Sequence, residues 1–88
     1  MKLNQDFIYR RVVDSALLVP CGNKRANFNG ILSLNKVGAF VAEKLQEETT
    51  FESLVESVVN KFEVDAQTAT RDIETFLDQL RANGALDE

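Results

Sequence analysis

The chain has no histidine and no tryptophan, and only one cysteine and one proline in 88 residues. Without histidine it lacks the commonest general base and metal ligand, and Ser-His-Asp and Cys-His arrangements are excluded. Cys21 has no second thiol for an internal disulfide, and one thiol does not make a zinc site. Its neighbours Lys24 and Arg25 are weak grounds for a reactive thiolate. There is no Gly-rich phosphate loop, and the many Asp and Glu residues fall at spacings typical of solvated helix faces. No apolar run reaches the ~18 residues of a membrane span. The opening MKLNQDF has no apolar stretch of the signal-peptide kind. These absences lead us to expect a cytoplasmic protein that is not an enzyme, with no catalytic residue, metal, cofactor or membrane partner.

The remaining composition is that of a folded domain. Apolar residues make up 44% and charged residues 27%, near the globular averages of about 45–50% and 25%. Residues 1–88 are read as a single domain, because two halves would each be too small to hold a core. The net charge of −4 is unevenly spread. Residues 1–44 hold seven cations and three acids, a net +4, whereas residues 45–88 hold three cations and eleven acids, a net −8. Such a split is compatible with two differently charged faces, or with acids decorating solvated helices.

The first third reads as strand. Phe7, Ile8, Tyr9, Val12 and Val13 form one β-prone run, and Ala16-Leu17-Leu18-Val19, ended by Pro20, forms a second. Asp14-Ser15 between them is the turn candidate. Residues 21–30 are loop chemistry, rich in Gly and Asn. Ile31-Leu32-Ser33-Leu34 is a third short strand. The period then becomes helical. Asn35 caps a first helix with a stripe of Val37, Phe40, Val41 and Leu45, and Gly38 inside it suggests close packing. Thr49 or Thr50 opens a second helix with Phe51, Leu54, Val55, Val58 and Phe62 inward. Asp65 caps a third, with Ala69, Ile73, Phe76, Leu77 and Leu80 inward, and Gly84 stops it. The order β-β-β-α-α-α predicts an α+β domain, a three-stranded antiparallel sheet followed by three helices, shaped like a winged helix-turn-helix.

Particular stretches carry a family likeness: Phe7-Ile8-Tyr9-Arg10 with Leu17-Leu18-Val19-Pro20, and Phe28-Asn29-Gly30 running into Ile31-Leu32-Ser33-Leu34-Asn35. It continues through Val37-Gly38-Ala39-Phe40-Val41, Thr50-Phe51, Val64-Asp65, Asp72-Ile73, Phe76-Leu77 and Gly84-Ala85-Leu86. In these the chain resembles the PqqD-like family, the pyrroloquinoline-quinone biosynthesis protein D relatives also called RiPP recognition elements. Asp14-Ser15 stands where the family often turns on glycine, and Ala42 where it often has an aromatic residue. The resemblance implies a non-catalytic domain that binds the leader of a ribosomally made precursor peptide. It would present that peptide to a modifying enzyme, frequently a radical-SAM enzyme, with the leader lying as an added antiparallel strand on the third strand, near the third helix.

Residue chemistry is compatible with that role. A sheet edge has unpaired N–H and C=O groups that an extended peptide can satisfy. Gly30, Ile31, Leu32, Ser33 and Leu34 contain no charge and no proline, so this strand lacks the usual protection of an edge, although a buried strand would read the same way. Alternation puts Ile31 and Ser33 on one face, Leu32 and Leu34 on the other, and leaves open which face meets the helices. Phe76 on the third helix, with Arg71, Asp72, Thr75 and Gln79 beside it, is the candidate second wall. A charge at Leu32 or Leu34, or proline at Ile31, should weaken leader binding. Self-pairing of the same edge makes the chain a monomer or a weak homodimer.

Two rivals use the same residues. A winged helix-turn-helix is also a nucleic-acid-binding shape, but the third helix sets Arg71 and Arg81 against Asp65, Asp72, Glu74 and Asp78, the wrong sign for phosphates. Asp14-Ser15-Ala16-Leu17 resembles the phosphopantetheine site of carrier proteins, which needs the serine at a helix start; here it falls between strand-like runs.

Overall fold

The computed structural model describes residues 1–13, 15–21 and 32–88, Leu32 by its backbone alone. In chain order the elements are β1 (Lys2–Leu3), β2 (Phe7–Val12), β3 (Ser15–Pro20), β4 (Leu32–Leu34), α1 (Lys36–Lys44), α2 (Phe51–Phe62), α3 (Ala66–Ala82) and β5 (Leu86–Asp87). β2, β3 and β4 form an antiparallel sheet in that order. With the three helices they make the α+β, winged helix-turn-helix-like fold expected from the pattern.

Alternation decides which face of the sheet meets the helices. Phe7 on β2 and Ala16, Leu18 and Pro20 on β3 are buried, whereas Ile8 and Val12 are exposed. The register sets Phe7 opposite Pro20 and Val12 opposite Ser15. Ser15 is therefore the first strand residue of β3 rather than half of the turn, and Asp14 lies outside the described residues. A strand serine also does not offer the helix-start setting a carrier site needs.

Each helix starts on a side-chain cap. Asn35 Oδ1 accepts from the Gly38 N–H at 2.7 Å, and Asp65 Oδ1 from the Thr68 N–H at 2.7 Å. Between the two threonines, Thr50 is the cap, its Oγ1 accepting from the Ser53 N–H at 3.2 Å. Hydrogen bonds from Thr68 hold the Asp65 carboxyl below the usual carboxylate range. Its contribution to stability is present above the unfolded carboxylate value and is lost as pH falls through the lower folded value. Thermal melts between about pH 5 and pH 2 should show Asp65→Asn losing less stability than the parent, because asparagine caps without titrating.

α2 ends at Glu63 in the left-handed region, φ 54°. A side chain there costs about 1 kcal/mol or more. Glu63→Gly should therefore raise the melting temperature, by about 1 kcal/mol of added stability; an unchanged melt would contradict this.

The core lies where the three helices meet the sheet. Leu18, Val41, Leu45, Leu54, Val58, Ile73, Leu77 and Leu80 are essentially inaccessible. All five α3 residues expected inward are buried, whereas α1 is rotated from expectation. Gly38, Val41, Ala42 and Leu45 form its buried face, and Val37 and Phe40 are half-buried.

A second, two-stranded sheet was not visible in the pattern. Lys2 pairs with Asp87 and Leu3 with Leu86. The Leu3 N–H donates to the Leu45 carbonyl at 2.8 Å and the Asn4 N–H to the Ala85 carbonyl at 2.7 Å. The first residues thereby join the end of α1 to the segment after α3, and Ala85 is fully buried beneath them.

Candidate functional site

The three-stranded sheet has two outer edges, and their chemistry differs. β2 carries Arg10 and Arg11 in its six residues, a usual means of discouraging strand addition. β4, Leu32-Ser33-Leu34, has no charge and no proline. Its inner edge pairs with β3, through Leu18 with Leu32, Leu17 with Ser33 and Ala16 with Leu34. No strand pairs with its outer edge among the described residues.

The register also answers which face is open. Ser33 shares the outer face with Leu17 and is exposed, whereas Leu34 shares the helix face with buried Ala16 and packs against the core. Gly30 and Ile31, expected to extend this edge, lie outside the described residues.

The end of β4 runs straight into the α1 cap, and there α3 approaches. A Cβ built on Gly38 would lie 3.1 Å from Asn35 Oδ1 and 3.2 and 3.3 Å from the Phe76 ring. Such separations leave no free room for a side chain. Gly38 thus allows Phe76 to sit against the first turn of α1, beside the residue that follows β4. Phe76 is 7% exposed, so it floors this junction rather than lining an open slot.

The polar candidates on α3 are placed differently. Asp72, Thr75, Phe76 and Gln79 share one stripe of the helix. Asp72 is half-buried, and Arg71, Thr75 and Gln79 are exposed. The Thr75 hydroxyl donates back to the Arg71 carbonyl at 3.0 Å, and Arg71 Nε lies 3.8 Å from Asp72 Oδ1. Phe76 is thus brought near the end of β4. Arg71, Thr75 and Gln79 make no hydrogen bond or ion pair to β4 among the described residues and remain on the solvent side of α3.

One cluster had no local sequence signal. The Tyr9 hydroxyl on β2 donates to Glu43 Oε2 on α1 at 3.5 Å, and Arg11 Nη1 lies 3.7 Å from the same oxygen. Burial, with the Glu43 charge behind it, holds the Tyr9 hydroxyl above its ordinary value. Tyr9 and Glu43 are 34 residues apart, so only the packing of sheet on helix brings them together.

Fold and edge together define a winged helix-turn-helix-like domain whose sheet ends, among the described residues, on an uncharged strand with an unpaired outer edge. The chain belongs to the PqqD family: the family model for coenzyme PQQ synthesis protein D matches residues 17–86. No curated protein matches it. Two solved structures share the fold. One is TbiB1 in complex with the TbiA(beta) leader peptide, with a TM-score of 0.81 at 23% identity, covering 99% of this chain and 95% of that one. The other is a lasso peptide synthetase B1 complexed with the leader peptide, with a TM-score of 0.77 at 20% identity, covering 98% and 96%. Among the described residues, no helix is long and apolar enough to cross a membrane.

Proposed function

We propose that this chain is a stand-alone, non-catalytic adaptor that captures the leader of a ribosomally synthesised precursor peptide and presents it to a modifying enzyme. The observation that carries the reading is the bare outer edge of β4, uncharged and unpaired among the described residues, beside the junction floored by Phe76. Membership of the PqqD family and the two leader-bound structures of the same fold support it.

The leader adds as an antiparallel strand, its main chain supplying affinity and its side chains specificity. Each backbone hydrogen bond contributes only about 0.5–1.5 kcal/mol net, too little in a short ladder to order a flexible peptide. Apolar leader side chains therefore enter between β4 and α3, with Asp72, Thr75 and Gln79 selecting polar neighbours. A radical-SAM enzyme is the partner implied by the family resemblance. The likeness to a lasso peptide synthetase B1 favours a second reading, in which the partner belongs to lasso-peptide synthesis.

Nucleic-acid binding is disfavoured by the arginines of α3. Arg71 lies beside Asp72, and Arg81 is held by Asp78 at 3.0 Å and Glu88 at 2.9 Å, so neither is a free cation. Calorimetry with synthetic leaders of short precursors encoded beside this gene tests the proposal. Saturable one-to-one binding is expected. No binding to any of them, together with a DNA mobility shift that weakens with salt, would replace this reading with the rival one.

A further inference from the structure

α1 has a second working side. Gly38, Val41, Ala42 and Leu45 face the core and α3, whereas Lys36, Ala39, Phe40 and Glu43 fall on the opposite side of the helix. There they line a concavity of about 470 Å³ beneath the tip of the β2–β3 hairpin, closed at its far end by Lys61 and Phe62 of α2. Its floor is apolar, with Phe40 and Phe62 in edge-to-face contact at 5.6 Å. Val13, at the hairpin tip on its margin, is 96% exposed.

The charge around this concavity opposes that of the chain. The protein carries −4, yet Arg11, Lys36 and Lys61 line the concavity with Glu43 as their only acid among the described residues. Glu43 is already engaged by Arg11 and the Tyr9 hydroxyl. Lys36 and Lys61 make no ion pair among the described residues. Lys36 stands in the first turn of α1, where the helix dipole disfavours a cation and no acid accompanies it. Its charge is therefore not explained by helix stability.

We infer that this groove is a second docking site, which takes an acidic segment with a bulky apolar anchor contributed by the modifying enzyme. The inference rests on the adaptor reading, because presenting a leader requires contact with the enzyme while the leader is held. The groove adjoins the leader edge at Leu34 and Asn35, at the end of β4, but Lys36, Phe40 and Glu43 stand on the side of α1 opposite the Gly38 face that meets Phe76, so the two surfaces suit simultaneous use. The anchor enters between Ala39, Phe40 and Phe62, and the acids of the segment meet Lys36 and Lys61.

The test is amide chemical-shift mapping on the ¹⁵N-labelled full chain. The probe is a synthetic dodecapeptide of Asp and Glu around a central Trp-Leu pair, added with and without bound leader. Saturable shifts at Ala39, Phe40 and Lys61, unaffected by the leader, are expected. The double variant Lys36→Glu/Lys61→Glu changes two exposed side chains. It should lower probe affinity about tenfold or more while leaving leader affinity and the far-UV spectrum unchanged. Absence of probe binding with intact leader binding overturns the groove alone, and absence of leader binding overturns the adaptor reading itself. Competition between leader and probe, or shifts at these amides on concentrating the chain alone, also overturns the assignment, in favour of the leader or a second copy.

Discussion

Ser33→Pro is expected to reduce leader affinity by about thirtyfold or more. Proline removes the N–H of the central β4 residue and restricts its backbone. The ring also distorts the edge on both sides of Ser33 in a strand of only three residues, so the leader ladder as a whole is disrupted; two to three hydrogen bonds at about 1 kcal/mol each correspond to roughly 30- to 150-fold in affinity. Ser33 is exposed on the outer face, so its side chain takes nothing from the core. The far-UV spectrum and thermal melt of the variant provide the folding control. A second measurement leaves the protein untouched: a leader N-methylated at alternate amides should bind more weakly in one register than in the other, because only one set of amides faces β4. Equal affinity of both methylated leaders, with Ser33→Pro also neutral, would remove β4 from the binding site.

Gly38→Leu is expected to have the largest effect on stability. Even a single added carbon meets Asn35 Oδ1 and the Phe76 ring at 3.1–3.3 Å. A leucine must displace the ring or lift α1 from α3. Overpacking of this kind costs about 1–3 kcal/mol, lowering the melting temperature of a domain this size by roughly 5–20 °C. Gly38→Ala should stay within about 1 kcal/mol of the parent, because crowding is offset by better helix propensity. Leader affinity should fall in Gly38→Leu more than in a surface variant of equal stability, since Phe76 moves away from the end of β4. A Gly38→Leu protein that melts like the parent would show that α1 and α3 are not in close contact here.

Much of this arrangement was legible in the pattern. Asn35, Thr50 and Asp65 are short polar residues ahead of periodic apolar runs, and each caps a helix. The five inward residues of α3 stand at ideal spacing, and all five are buried. The rotation of α1 was not legible, for a physical reason. Hydrophobic periodicity favours large side chains, so Val37 and Phe40 marked the inward face. Helices approach closest where side chains are small, so Gly38 and Ala42 took it instead. The displaced Phe40 became the floor of the groove beneath the hairpin. β1 and β5 have two residues each, too short to show any period. The Tyr9–Glu43–Arg11 cluster depends on how the sheet lies on α1, which no local spacing reports. Within the site, the uncharged third strand could be read from composition alone. Its open face could not, because Ser33 and Leu34 acquire their faces only through the register with Leu17 and Ala16.

The central claim is that the main chain of a leader peptide pairs with the outer edge of β4. Cross-strand nuclear Overhauser effects in the complex of the ¹⁵N,¹³C-labelled chain with an unlabelled leader test it most directly. The predicted result is an antiparallel ladder of backbone contacts from the leader to Leu32, Ser33 and Leu34, with leader side-chain contacts to Phe76. Backbone contacts confined to β2, or leader contacts only on the outer face around Ile8 and Val12, would contradict it.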